Sequence, residues 1–367
     1  MIQQYKPNYT KEDKDALKAL IDTDTWFSEF SQTDKFAEEL AKATENKHAV
    51  IVNNGTVAIS IALSALGIRP YDQVIVPDIT MVATANAVRF VGATPVFCDI
   101  DPSTGLLDAK KAIALSESIG ARAIIYVTLN GRINEADVIF LNNYCKENYI
   151  HFIKDDAQSL GSGARSNKSL QNPEFGDIHT LSFSPHKSVS CGQGGAIVTS
   201  DDKLFEKFKR FKDFGRLIGG ADIHDHFGIN SKFTELQATL GLSQLNRLTN
   251  TCQTKKMIYD YYFNLFKNSK VRMIDRLLNE TPWFMEIHVE NRDRLHEELK
   301  KRNIGSRKMY PALHTQACYD LRENVQEGFK PENSVAYSEH SLWLPSSIDL
   351  EFKDIEFIAN NVLEICA

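Results

Sequence analysis

No two cysteines in this chain are spaced as CxxC: Cys98, Cys145, Cys191, Cys252, Cys318 and Cys366 stand singly. That scatter argues against a zinc site and a secreted disulfide framework, and it suits a reducing cytosol. A basic excess is missing too. Lysine and arginine total 42 against 48 acidic residues, a net charge of −6, so nucleic acid is not expected as the main partner. No apolar run approaches the ~20 residues of a membrane helix. The longest, such as Ala123–Val127, are strand-length. Residues 1–10 are polar, so no signal peptide is expected there. His224 and His226, beside Asp222 and Asp225, read as a solvated polar loop because no further ligand cluster accompanies them.

What remains is an ordinary globular composition, 43% hydrophobic and 25% charged over 367 residues, enough for about two domains. From residue 48 to 200, short runs rich in Val, Ile and Phe alternate with helix-like stretches. The expected strands are 48–52, 73–77, 95–98, 121–127, 151–154, 177–183 and 195–199. The expected helices between them are 56–66, 83–91, 108–116 and 135–147. Strand–helix alternation with few polar interruptions predicts an α/β domain with a mainly parallel sheet buried on both faces. Helices follow at 203–214 and 234–266. Then come a strand at 283–289, a helix at 292–303, a strand at 341–344 and a helix at 352–365. The expected organisation is a helical segment over 1–45 packed on the C-terminal tail, a large domain over 46–245, and a smaller α+β domain over 246–367.

Three stretches carry candidate chemistry. Asn53-Asn54-Gly55-Thr56 follows a strand and opens a helix, where free N–H groups and the helix dipole favour phosphate. Taken alone, it reads as readily as a helix cap and a turn. Asp155-Asp156-Ala157-Gln158 ends a strand, on the side where open α/β sheets bind ligands. A carboxylate there could pair with a protonated ring nitrogen or simply be solvated. Ser182 to Lys187, followed by Gly192-Gln193-Gly194-Gly195, puts a lysine between two apolar strands. Partial burial would lower its pKa and make its amine a nucleophile, or it is an ordinary loop lysine. A phosphate cradle, a strand-end acid and a loop lysine are together the parts that a pyridoxal phosphate site needs.

The sequence resembles the DegT/DnrJ/EryC1/StrS family of PLP-dependent sugar aminotransferases, of the aspartate aminotransferase fold type. The matching stretches are NNGTVAISIALSALGI (53–68), DQVIVPDITMVATANAVRFVGATPVFCDID (72–101), KDDAQSLGS (154–162), GDIHTLSFSPHKSVSCGQGGAIVTSDD (176–202), INSKFTELQATLGLSQL (229–245) and MYPALHTQACY (309–319). The resemblance implies a type I fold, with a seven-stranded large domain and a smaller C-terminal domain. It makes Lys187 the Schiff-base lysine and proton carrier. Asp155 would be the partner of the pyridine nitrogen, with Asp156 at a position usually held by a small residue. It assigns Gln158 to the ring oxygen and Gly55, Thr56 and Ser182 to the phosphate. Asn230 would reach the phosphate of the neighbouring subunit, which implies a homodimer with shared sites. Lys187 also separates the chain from dehydratase relatives that carry histidine there.

Several positions depart from the family pattern. Met81 stands where an aromatic usually stacks on the ring. Lys232 replaces an arginine, Asn130 and 132–134 replace a Tyr-Gly…Pro-Ala-Asp-type loop, and 32–34 lacks a glycine. These last three are expected to bear on substrate, as are His186 and His314, the latter equally readable as structural. The resemblance implies an amino-acid donor, L-glutamate, and a nucleotide-linked keto sugar acceptor. The NGTVA opening is most similar to perosamine-type enzymes, which act on a GDP-linked 4-keto-6-deoxy sugar. The expected role is amino-sugar synthesis for a surface polysaccharide, lipopolysaccharide or natural product. A small phosphorylated ketone or cyclitol acceptor, a PLP lyase, and a PLP-binding relative without turnover are the alternatives.

Overall fold

The computed structural model describes residues 1–218, 221–319 and 324–367. Helices α1 (Lys11–Ile21) and α2 (Ser31–Ala43) lead into β1 (His48–Val52), α3 (Gly55–Ala65), β2 (Gln73–Pro77) and α4 (Ala83–Phe90). Then follow β3 (Thr94–Cys98), α5 (Ala109–Ile119), β4 (Ala123–Val127), α6 (Glu135–Glu147), β5 (His151–Asp155), β6 (His179–Ser182), β7 (Gly195–Thr199) and α7 (Asp202–Lys212). The chain continues through α8 (Glu235–Leu245), α9 (Leu248–Phe266), β8 (Met285–His288) and α10 (Arg292–Lys301). It ends with β9 (Arg307–Lys308), α11 (Glu332–His340), β10 (Ser341–Leu344) and α12 (Phe352–Cys366).

The large sheet has the order β1-β7-β6-β5-β4-β2-β3. Only β7 runs against the others. The six parallel strands therefore end at one edge, and β7 begins at that edge. Every residue of β4 is buried, as its unbroken apolar run Ala-Ile-Ile-Tyr-Val requires of a strand covered on both faces. Helix α3 is apolar nearly all round, and Ala58, Ile59, Ile61, Ala62 and Leu63 are at most 2% exposed. At roughly 1.5–3 kcal/mol for each large side chain, its burial anchors the turn that precedes it. Helix α5 starts where the Asp108 side chain accepts the Lys110 and Lys111 N–H groups.

A second, antiparallel sheet has the order β8-β10-β9. Its core, Met285, Ile287, Leu342 and Leu344, joins Tyr259 and Tyr262 of α9, Leu295 of α10 and Ile355 and Ile358 of α12. Strand β9 is two residues long and polar, so periodicity could not find it; its pairing with Leu342 and Trp343 makes it a strand. Helix α11 was also unexpected, since Glu-Asn-Ser-Val-Ala-Tyr-Ser-Glu-His has no apolar stripe.

Two expectations change. The helix expected over 234–266 is two helices, α8 and α9, broken at Asn246-Arg247. Arg247 has φ −105° and ψ 5°, and its guanidinium turns to Asp13 Oδ2 at 2.8 Å and Thr10 Oγ1 at 2.7 Å. The leading helices do not pack on the tail; α1 and α2 lie against α8, and α2 against β1. Phe36 and Leu40 enter the core beside Phe183 and Phe233. The extended start joins the tail through the bridge Ile2–Ile304 and the Lys6 N–H donated to Ser347 Oγ at 2.7 Å. No helix among the described residues is long and apolar enough to cross a membrane.

Candidate active site

A cavity of about 630 Å³ opens at the edge where the parallel strands end. Its wall includes Gly55 and Thr56 after β1, Met81 after β2, Asp155 at the end of β5, Gln158 beyond it, Ser182 at the end of β6, and His186 and Lys187 in the following loop. The topology thus brings three separate sequence stretches to one place.

The turn into α3 is tightly specified. The Asn54 side chain accepts the Val57 N–H at 2.9 Å, and its carbonyl accepts from Ala58. The first helical N–H groups, those of Gly55 and Thr56, are left for a ligand. A Cβ on Gly55 would lie 3.0 Å from Ser182 Cβ. A Cβ on Gly195, across the sheet, would lie 2.4 Å from the Asn54 carbonyl carbon. The glycine that opens β7 is therefore more than a turn residue: it lets β7 and the cradle touch backbone to backbone.

The β6–β7 loop is fastened at several points. Phe183 N–H donates to Gly194 O at 2.8 Å, Cys191 N–H to Phe183 O at 2.9 Å, and Ser190 N–H to Gln244 Oε1 at 3.0 Å. Trp283 Nε1 donates to His186 O at 2.8 Å, and the Lys187 amine lies 4.1 Å from the centroid of the Trp283 ring. Lys187 is half-buried by surface area because it borders the cavity, but protein encloses its amine. That burial brings its pKa down to about 7; the Asp155 carboxyl opposes the drop, while Lys255 and Arg307 add to it. At neutral pH much of the amine is uncharged, with a free lone pair and a proton affinity suited to acid–base work. Lys255 is itself fully buried, donates to Trp283 O at 2.9 Å, and is brought by burial to about 8.

The two adjacent acids face different surroundings. Asp155 lines the cavity and accepts from Thr84 Oγ1 at 2.7 Å and from the Ala157 N–H at 3.1 Å. Burial raises its pKa despite those bonds and the nearby Lys187. Asp156 turns away from the cavity. It accepts from Thr128 Oγ1 at 2.8 Å, lies 2.7 Å from His179 Nδ1 and 3.6 Å from Lys154 Nζ, all fully buried. Burial alone would raise it, but Lys154 and His179 outweigh that and hold it ionised. Gln158 has its Oε1 committed to the Asn130 N–H at 2.7 Å, which leaves its Nε2 donors for the cavity.

Two expected substrate residues, and the asparagine expected at the neighbouring subunit's phosphate, stand outside this cavity. His314 Nδ1 lies 2.8 Å from Asp78 Oδ2 and its N–H donates to Asp78 Oδ1 at 2.9 Å, so it holds the loop after β2 and is not among the lining residues. Lys232 pairs with Asp213 at 2.7 Å, and exposed Asn230 also lies outside this chain's cavity. The departures at 130–134 are mostly core. Asn130 and Arg132 are 2% and 6% exposed, and both bond Glu286, at 3.1 and 3.2 Å. Asn130 also accepts the Phe284 N–H at 2.7 Å and so fixes the segment before β8 that carries Trp283. Residues 32–34 begin α2, where buried Glu235 accepts the Gln32 and Thr33 N–H groups. His186 does line the cavity, its pKa lowered by burial and by Arg307 and Lys187. Sequence reasoning missed Thr84, Gln193, Trp283, Arg307 and Tyr310. Of these, Thr84, Gln193 and Tyr310 lie in the stretches that carry the resemblance and Trp283 in a strand-like run, and Arg307 gave no signal.

A buried amine with a lowered pKa, an acid across the cavity and a helix-end anion cradle fit pyridoxal phosphate. Comparisons with known proteins agree. Residues 7–363 match the DegT/DnrJ/EryC1/StrS aminotransferase family. The chain is 32% identical, over 87% of itself and 87% of the relative, to a GDP-perosamine synthase from Escherichia coli O157:H7. It is 28% identical, over its whole length and 97% of the relative, to UDP-4-amino-4,6-dideoxy-N-acetyl-beta-L-altrosamine transaminase of Campylobacter jejuni. A DegT DnrJ EryC1 StrS aminotransferase from Brucella abortus superimposes with a TM-score of 0.89 at 26% identity, over 97% of this chain and 95% of that one.

Proposed function

The chain belongs to the DegT/DnrJ/EryC1/StrS aminotransferase family, and on that basis we propose that it carries an amino group from L-glutamate to a nucleotide-linked 4-keto-6-deoxy sugar, using pyridoxal 5'-phosphate. The observation that supports this best is the shared cavity of Lys187, Asp155 and the start of α3. The α3 N–H groups, Thr56 and Ser182 would hold the phosphate. Asp155 would face the ring nitrogen and Gln158 would donate to the ring oxygen. Met81, which also lines the cavity, would cover a ring face through its thioether. When bound, the cofactor supplies an aldehyde for the donor amine and an electron-withdrawing ring. Lys187 Nζ would hold the cofactor at rest and then move a proton between the amine-bearing carbon and the cofactor's aldehyde carbon.

The acceptor is assigned to the GDP-linked class on the likeness to the GDP-perosamine synthase. The working unit is a homodimer on this reading. Phe27 and Phe30 are 44% and 55% exposed and flank Glu235, which takes the Phe30 N–H, while exposed Asn230 lies five residues before it. A second copy would cover these rings and present its own asparagine to the phosphate.

The acceptor is tested by loading the protein with aminated cofactor and adding candidate ketones. Return of the visible cofactor band with a GDP-linked 4-keto-6-deoxy sugar, and not with a phosphorylated ketone or a keto cyclitol, is the expected outcome. Equal or faster return with a small ketone overturns the acceptor assignment.

A further inference from the structure

The cavity wall carries two long basic side chains, Lys187 and Arg307, and one carboxylate, Asp155, among the described residues. The proposed chemistry uses Lys187 and Asp155 and leaves Arg307 unexplained. Arg307 sits on β9 directly opposite Trp343 of β10. Its guanidinium carbon lies 5.4 Å from the Trp343 ring centroid and 5.5 Å from that of Tyr310. Those two rings meet edge-on at 5.0 Å, and Trp343 is fully buried. Contact with the two rings places the guanidinium but satisfies none of its five N–H donors, and the exposed side chain offers them to the cavity and solvent.

Neighbouring cations are already matched. Lys308 pairs with Asp293 at 2.9 Å; Arg292 pairs with Asp293 at 2.6 Å and donates to Ser338 O at 2.8 Å. No such partner is found for Arg307 among the described residues. A guanidinium on a cavity wall with no partner among the described residues is a receptor for an anion.

Both reactants of the proposed transfer are anionic. In an amino acid the carboxylate is one bond from the carbon that bears the reacting amine. In a nucleotide sugar the diphosphate lies about the width of a sugar ring from the ketone. Arg307 acts at short range on the reacting centre, since its charge lowers the proton affinity of both Lys187 and His186. A planar fork also matches a carboxylate through two parallel bonds. We propose, resting on the aminotransferase assignment above, that Arg307 docks the carboxylate of the amino donor. It is a specificity residue for the first half of the transfer, held ready by Tyr310 and Trp343.

The test compares the PLP-loaded wild type with Arg307→Gln, Arg307→Lys and the control Lys308→Gln. The visible band of the loaded protein should be the same in all four. The L-glutamate concentration that half-bleaches it should rise about 10- to 100-fold in Arg307→Gln, as expected for loss of a charge-assisted bidentate pair. Arg307→Lys should recover only part of that, and Lys308→Gln should match wild type. Binding of glutarate, a dicarboxylate with no amine, should weaken by a similar factor in calorimetry. Reaction of the aminated form with acceptor should be unchanged. An intact band with unchanged glutamate and glutarate binding overturns the proposal. So does a loss confined to the acceptor step, which gives Arg307 to the diphosphate. A wild type that forms no band at all overturns the aminotransferase assignment and the proposal with it.

Discussion

Replacing Lys187 with methionine should destroy function and stabilise the cofactor-free fold. The lysine pKa falls from its ordinary 10.5 to about 7, chiefly by burial. A tenfold change in proton affinity is worth about 1.4 kcal/mol, so keeping this amine enclosed costs at most about 5 kcal/mol near neutrality. The side chain borders an open cavity, where water screens part of that cost, and about 2–4 kcal/mol is the expected gain. Methionine has similar length and still packs on Trp283. The sign has a pH signature. The folded pKa lies below the unfolded one, so between pH 7 and 10.5 the unfolded chain binds more protons and wild-type stability rises with pH. The advantage of Lys187→Met is therefore full below pH 7 and fades toward pH 10.5. Unfolding entropy of ~2 cal/mol/K per residue converts the gain into roughly 3–5 °C. Thermal unfolding of both cofactor-free proteins at pH 6.5 and 9.5 measures it. A variant no more stable than wild type, or a gain equal at both pH values, rules out the enclosed, largely uncharged amine.

Gly195→Ala should weaken PLP binding and cost at least about 1–3 kcal/mol, because its Cβ would stand 2.4 Å from Asn54 backbone; cofactor titration and urea unfolding check both. Asp155→Asn should slow turnover while leaving the urea midpoint nearly unchanged, whereas Asp156→Asn, which leaves Lys154 and His179 without their carboxylate, should lose roughly 3–5 kcal/mol; the opposite pattern would place the ring-nitrogen acid one residue later. Arg132→Met strands buried Glu286 and should cost roughly 3–5 kcal/mol at pH 7. Glu286 is held down at about 2, with burial outweighed by Arg132 and His288, so its contribution is present above pH 4.5 and lost as pH falls toward 2; the deficit of the variant should narrow over that window in acid unfolding.

The large sheet was legible because its strands are short, apolar and separated by helices, so burial on both faces wrote itself into composition. His48–Val52, Gln73–Pro77 and Gly195–Thr199 coincide with the expected runs. The C-terminal part was less so. Strand β9 exists through its partner on β10, and α11 is polar on most faces, so neither left a pattern. The cradle, Asp155, Gln158, Ser182 and Lys187 were visible as clusters of unusual residues at strand ends. Arg307, Tyr310 and Trp283 were not, since they come from distant segments and their proximity is a property of the fold. His314 and Lys232 drew attention by type, but Asp78 and Asp213 hold them outside the cavity. The departures at Asn130 and Arg132 resembled changes in a binding loop; in three dimensions they form a buried clasp with Glu286 beside the segment that brings Trp283 to Lys187.

Everything proposed for this cavity depends on Lys187 holding PLP and on L-glutamate aminating it. The decisive experiment is the visible absorption spectrum of the purified protein with added PLP, taken before and after L-glutamate and repeated on Lys187→Met. A yellow band in the wild type that bleaches with glutamate, and no such band in the variant, is the expected result. A wild type without the band, or a variant that keeps it, would remove Lys187 from the role given to it.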